Sequence, residues 1–157
     1  MLSTSDGRGV ERRYWFAMTP PRSSIRVLIT DDEPLFAETI MSVLGSDERI
    51  EVVGHASDGI EAIRLVESLR PDLVLMDISM PGMGGIEATK RIKELAPQLP
   101  VLILTTSSDE DDVRRATAAG AAGYLTKDAA SDVVATIVEI ATLARAFTAT
   151  SSVAPRS

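Results

Sequence analysis

The chain has 157 residues, 45% hydrophobic and 25% charged, enough for one domain with a sizeable core and too few for two ordinary ones. It has no cysteine and one histidine, His55, which excludes disulfide frameworks, thiolate metal sites, thiol nucleophiles and multi-histidine metal centres. A net charge of −7 disfavours sequence-independent binding to nucleic acid, and no apolar stretch approaches the ~20 residues of a membrane span, so a cytoplasmic protein is expected.

Residues 1–24 show no sustained periodicity and end in "TPPRSS", a linker composition, so they are expected to form a disordered extension. Their apolar stretch "YWFAM" is too short for a signal-peptide core. Met18 offers a second candidate start of translation immediately before the linker.

From Ile25 onward, short apolar runs alternate with longer stretches of helical period. The first run, "IRVLIT", leads into "DDEP" and a helix whose apolar stripe is Phe36, Ile40, Val43 and Leu44; Pro34 suits its first turn, where no amide hydrogen is needed. "IEVVGHA" follows, then a helix with Ile63, Val66 and Leu69 on one face and the spacing of a capping box at Asp58 and Glu61. "DLVLMD" ends at Asp77, "PGMGG" reads as a turn, since it lacks the GK[ST] ending of a phosphate loop, and a third stripe is Ala88, Ile92 and Leu95. Met76, Met80 and Met83 are read as packing residues. "VLILTT" precedes a helix over 109–120 in which Val113 is the one large aliphatic residue. Burying alanine gains far less than burying leucine, so this helix is expected to be the most loosely held. "GYLTK" and a last stripe, Val133, Ile137, Ile140 and Ala144, complete the pattern, with Gly45, Gly120 and Gly123 placed where helices stop or turn. Five buried strands alternating with five helices imply a doubly wound α/β domain with a parallel sheet.

Ligands of such sheets bind beyond the carboxyl ends of the strands. Asp31 and Asp32 end the first strand, Asp77 the third, Thr105 and Thr106 the fourth, and Thr126 and Lys127 the fifth. Carboxylates held this close call for a cation, and Mg2+ fits because it takes one or two carboxylates and leaves room for a phosphoryl group. Thr105 can donate to a phosphoryl oxygen, Lys127 can pair with it, and Asp77 is at once a metal ligand and a candidate nucleophile. Taken singly, each has a plainer explanation: strand-end Asp as turn residue, Lys127 as a solvated lysine, Thr105 as an ordinary strand residue and His55 as a structural histidine.

The stretches "LITDDEP", "PDLVLMDISMPGMGG", "VLILTT" and "GAAGYLTKD" together resemble the receiver domain of bacterial two-component response regulators, over residues 25–146. The "GYLTKD" ending resembles the branch whose receivers precede a LuxR-type helix-turn-helix output domain. The resemblance implies a flavodoxin-like fold, with Asp77 phosphorylated by a sensor histidine kinase. It further implies Mg2+ bound by Asp32 directly, by Asp31 largely through water, by Asp77, and by the backbone carbonyl of Ser79. Thr105 and Lys127 would contact the phosphoryl group. Tyr124 would turn as Thr105 is drawn inward, and the surface of the fourth helix, fifth strand and fifth helix would pair two receivers in a homodimer.

Asp128 stands where many receivers have a proline after the lysine, so a trans bond is expected there. Residues 147–157, "FTATSSVAPRS", read as a tail without a basic recognition helix, so the output domain is expected to be missing and this chain alone to bind no DNA and no membrane. Ser79 and Ser107 lie where they bear on water access to the site. Two alternatives stand beside this reading. One is a pseudo-receiver that works by protein contact without phosphorylation. The other is a phosphatase of the haloacid dehalogenase class, which wants an aspartate two residues after the nucleophile, where Ser79 stands.

Overall fold

A computed structural model describes residues 24–106 and 109–153, the last seven as helical backbone only. The expected N-terminal extension, the second start at Met18 and Ser107 all lie outside the described residues. Strands β1 (Ile25–Thr30), β2 (Ile50–Ala56), β3 (Leu73–Asp77), β4 (Val101–Thr105) and β5 (Gly123–Thr126) alternate with helices α1 (Pro34–Gly45), α2 (Gly59–Leu69), α3 (Gly85–Leu95), α4 (Glu110–Ala118) and α5 (Val133–Val153). The sheet is parallel in the order β2-β1-β3-β4-β5, the flavodoxin-like arrangement.

Successive strand residues point to opposite faces, and the core divides accordingly. Ile25, Val27, Ile29, Leu73, Leu75, Leu102 and Leu104 meet Ile40 and Leu44 of α1 and Val133, Ile137 and Ala141 of α5. Leu28, Val74, Met76, Val101 and Ile103 face Ala62 and Val66 of α2, Ala88 and Ile92 of α3, and Ala116 of α4. The central strands β1, β3 and β4 are almost wholly buried because both faces are covered, whereas the edge strands β2 and β5 are mostly half-buried.

The helical stripes are rotated slightly from their sequence reading. Ala37, Ala62 and Thr89 are fully buried, whereas Leu95 is 51% exposed. These small residues share the innermost lines with large ones, Ile40, Leu44 and Ile92, which are equally buried. Thr89 is satisfied there by donating to the Gly85 carbonyl at 2.7 Å.

Three boundaries also differ. Gly123 opens β5 rather than ending a helix, and an added Cβ would come within 3.0 Å of Ile140 and 3.1 Å of Leu102. A tight turn over Lys127–Asp132 precedes α5, and α5 continues to Val153, past the expected end near Ala146. No glycine or proline interrupts the sequence between Gly123 and Pro155, so nothing stops the helix earlier. No cis peptide bond occurs among the described residues. None of their helices is long and apolar enough to cross a membrane.

Caps hold the helix starts in place. Asp58 accepts from the Glu61 amide at 2.8 Å, and the Glu61 carboxylate reaches back to the Ser57 amide at 2.9 Å. Asp109 caps α4 by accepting from the Asp111 amide at 2.8 Å.

Candidate phosphoacceptor site

The order of the sheet reverses direction between β1 and β3, and the polar rim lies beyond the carboxyl ends of those two strands. Carboxylate oxygens of Asp31, Asp32 and Asp77 come within 4.8 Å of one another there. Asp31 and Asp77 are 2% and 5% exposed, and Asp32 lies nearer solvent. Thr105, also buried, ends β4 one residue beyond the Asp77–Leu104 pair. Lys127 follows immediately after β5.

Lys127 is the cation within this cluster. Its ammonium lies 2.8 Å from the Asp31 carboxylate, 2.8 Å from Glu33 and 3.5 Å from Asp77, with the side chain only 8% exposed. The ammonium also stands 4.4 Å from the centre of the Phe36 ring. Burial works against its charge, but hydrogen bonds to Asp31 and Glu33 and the Asp77 charge outweigh that, and its pKa is raised. Glu33, bonded to Lys127, is held below the usual carboxylate range. Glu33 and Phe36 both belong to the "DDEPLF" stretch. Their part was hidden because a contact spanning 94 residues of chain leaves no mark on local spacing.

Lys127 does not fully balance the acids. Burial and the Asp31 charge push the Asp77 pKa up to about 6, against the opposing pull of Lys127 and of the Ser79 amide, which donates to Asp77 at 3.3 Å. A carboxylate that resists ionisation among other carboxylates is the setting that a further cation relieves. All-oxygen donors suit a hard divalent ion, so Asp31, Asp32 and Asp77 fit one.

Backbone geometry fixes the site. Gly85, first residue of α3, donates its amide to the Ile78 carbonyl at 2.8 Å, and a Cβ there would fall 2.0 Å from the Asp77 carbonyl oxygen. Only glycine allows α3 to start this close to the end of β3. The "PGMGG" stretch is therefore a turn, as read, and also the seat of Asp77. Met76 is fully buried, and Met80 and Met83 pack against the second core.

Ser79 is exposed two residues beyond Asp77. Tyr124 pairs with Ile103 and packs against the second core, where burial and the charges of Asp112 and Asp109 raise its pKa. Thr126 donates to the Asp128 carboxylate at the foot of the turn into α5. The His55 ring bonds the main-chain oxygen of Asp31.

The profile of the response regulator receiver domain matches residues 27–139. The chain belongs to the response regulator receiver family. This receiver is 41% identical over 105 residues to the response regulator GacA of Pseudomonas aeruginosa, covering 67% of this chain and 49% of that protein. It is 37% identical over 118 residues to the transcriptional regulatory protein DegU of Brevibacillus brevis, covering 75% and 50%. A LuxR-family two-component response regulator from Aurantimonas sp. SI85-9A1 superposes with a TM-score of 0.74 at 35% identity, over 76% of this chain and 86% of that one. The receiver thus sits in the LuxR-type branch and spans about half the length of the curated relatives it matches.

Proposed function

We propose that Asp77 accepts a phosphoryl group from the phosphohistidine of a sensor histidine kinase in a Mg2+-dependent step, and that the added charge switches a surface built from α4, β5 and α5. The observation that carries this reading is the convergence of Asp31, Asp32 and Asp77 on one rim, with the Lys127 ammonium 3.5 Å from Asp77. In the transfer, an Asp77 carboxylate oxygen bonds to phosphorus as the N–P bond of the donor breaks. The bonding pair leaves with the imidazole, which takes up a proton. Asp77 must react ionised, and a pKa of about 6 leaves it so in most molecules above pH 7.

Asp31, Asp32, Asp77 and the backbone carbonyl of Ser79 would hold Mg2+, which supplies charge neutralisation for the incoming phosphoryl oxygens. Lys127 has three N–H donors. Two are engaged at 2.8 Å by Asp31 and Glu33, leaving the third for the Asp77 side, where it pairs with the phosphoryl group. The Thr105 hydroxyl donates to a second phosphoryl oxygen, and its inward movement draws Tyr124 after it. That motion biases two arrangements of the α4 surface, and a second receiver bound there in a homodimer shifts the balance further.

The receiver is a phosphoacceptor acting in the cytoplasm, with at most self-catalysed transfer and hydrolysis of its own phosphoryl group. Its relatives are transcriptional regulatory proteins, so the parent role is control of transcription through a helix-turn-helix domain. Intact mass after incubation with a small-molecule phosphodonor is the test. A single phosphoryl adduct that requires both Mg2+ and Asp77, and is lost in Asp77→Ala, is expected. A folded protein that takes up no adduct would leave a pseudo-receiver. Steady turnover of small phosphate esters would restore the phosphatase alternative.

A further inference from the structure

His55 lies on β2, away from the acids in sequence, yet its ring Nε2 is 2.9 Å from the main-chain oxygen of Asp31. A carbonyl oxygen only accepts, so Nε2 is the donor in this contact. The ring reaches this position because of an irregularity in the sheet. Val27 pairs with Val52 but Leu28 with Gly54, so β2 carries one extra residue at Val53, and His55 stands beside Ile29. Gly54, next in the chain after Val53, packs against the ends of the Leu69 and Leu28 side chains.

The contact falls where β1 leaves the sheet. The Asp31 amide donates to the Ala56 carbonyl at 3.0 Å, which is the last ladder bond on this side, and β1 ends at Thr30. The next carbonyl, that of Asp31, has passed the end of the strand, and His55 supplies its donor. Because a peptide unit is planar, the orientation of that carbonyl is the orientation of the whole Asp31–Asp32 peptide. The Asp31 side chain is fixed independently, by the Glu33 amide at 2.8 Å and by Lys127 at 2.8 Å. Asp32 has no such tie of its own among the contacts described; the peptide plane that His55 holds includes its amide and Cα, from which its side chain starts.

We propose that His55 is a positioning residue for the acidic site: by fixing the Asp31–Asp32 peptide plane it sets where Asp32 presents its carboxylate to a divalent cation. This rests on the reading of the site as a Mg2+ site. A ring is well suited to the task, since it has a single donor direction once its tautomer is set, and β2 carries it on the rigid sheet.

The test is a calorimetric titration of the full chain with Mg2+ alone, with far-UV circular dichroism and thermal unfolding as fold controls. His55→Met keeps the bulk and removes the donor. His55→Asn keeps polarity but is too short to reach the carbonyl. His55→Gln places an amide N–H near the position of Nε2. Mg2+ affinity is expected to fall on the order of tenfold in His55→Met and His55→Asn and to recover in His55→Gln. A residue that served stability alone would move the unfolding midpoint while leaving the affinity of the folded protein as it was. Wild-type affinity in His55→Met or, should that variant not fold, in His55→Asn would overturn the assignment while leaving the Mg2+ reading intact. An absence of Mg2+ binding by the wild type would overturn both.

Discussion

At Asp77, burial and neighbouring charge act against the fold. Its unfolded reference pKa is 3.8 and its folded pKa about 6, so between these values the folded state keeps a proton that the unfolded state has lost. Stability therefore falls as pH rises through that window, and above it the ionised group opposes folding by about 3 kcal/mol. Asp77→Asn should make the metal-free protein more stable at pH 7.5 and confer little advantage near pH 4. Urea unfolding at the two pH values measures it, and an equal difference at both would show that charge is not the cause. Lys127 limits the penalty, since without its ammonium the Asp31 and Asp77 carboxylates would lose their nearest positive charge. Residue identities at this rim were legible in the sequence because strand ends can be located from apolar runs. The hold of His55 on Asp31, of Glu33 on Lys127 and of Gly85 on Asp77 was not, because each links elements through three-dimensional approach rather than spacing.

Among the elements, α4 differs from its neighbours in what anchors it. Ala116 is its only fully buried residue, whereas α1 buries Ala37, Ile40 and Leu44. Its ion pairs, Arg114 with Asp111 and Arg115 with Asp112, are largely exposed and contribute little. Amide hydrogen exchange should therefore be faster across α4 than across α1, and the order can be read residue by residue by NMR. Equal protection would remove the argument that α4 is the movable element. The shortage of large aliphatics in this helix is visible without a structure, and the structure buries only Ala116 of it. The exact inner line of each helix was not visible: α3 buries Thr89 together with Ile92 and exposes Leu95, its last residue.

At the scale of the molecule, one sheet divides two cores, and α1 with α5 closes the first. Ile137 is fully buried in that layer, where it supports the face of the sheet leading toward β4 and β5. Ile137→Ala is expected to cost about 2–5 kcal/mol, read by chemical denaturation, through lost burial and an unfilled cavity. A smaller cost, below about 1 kcal/mol, would mean that α5 repacks freely on the sheet. The opposite end of the same layer carries Arg145, which donates to the Ser24 carbonyl at 3.0 Å and so ties α5 to the start of β1.

By itself the sequence determined the parallel α/β architecture, because runs of apolar residues buried on both faces and joined by amphipathic helices admit few other packings. It also pointed to Asp31, Asp32, Asp77, Thr105 and Lys127 at the carboxyl-end rim, though not to Glu33. The tertiary structure decided what those groups do to one another. It placed Lys127 as the internal counter-charge, raised the Asp77 pKa and brought His55 across a β-bulge to the Asp31 carbonyl. These depend on distances between separate strands, and electrostatic energies and hydrogen bonds change steeply over the few ångströms that a linear pattern cannot specify.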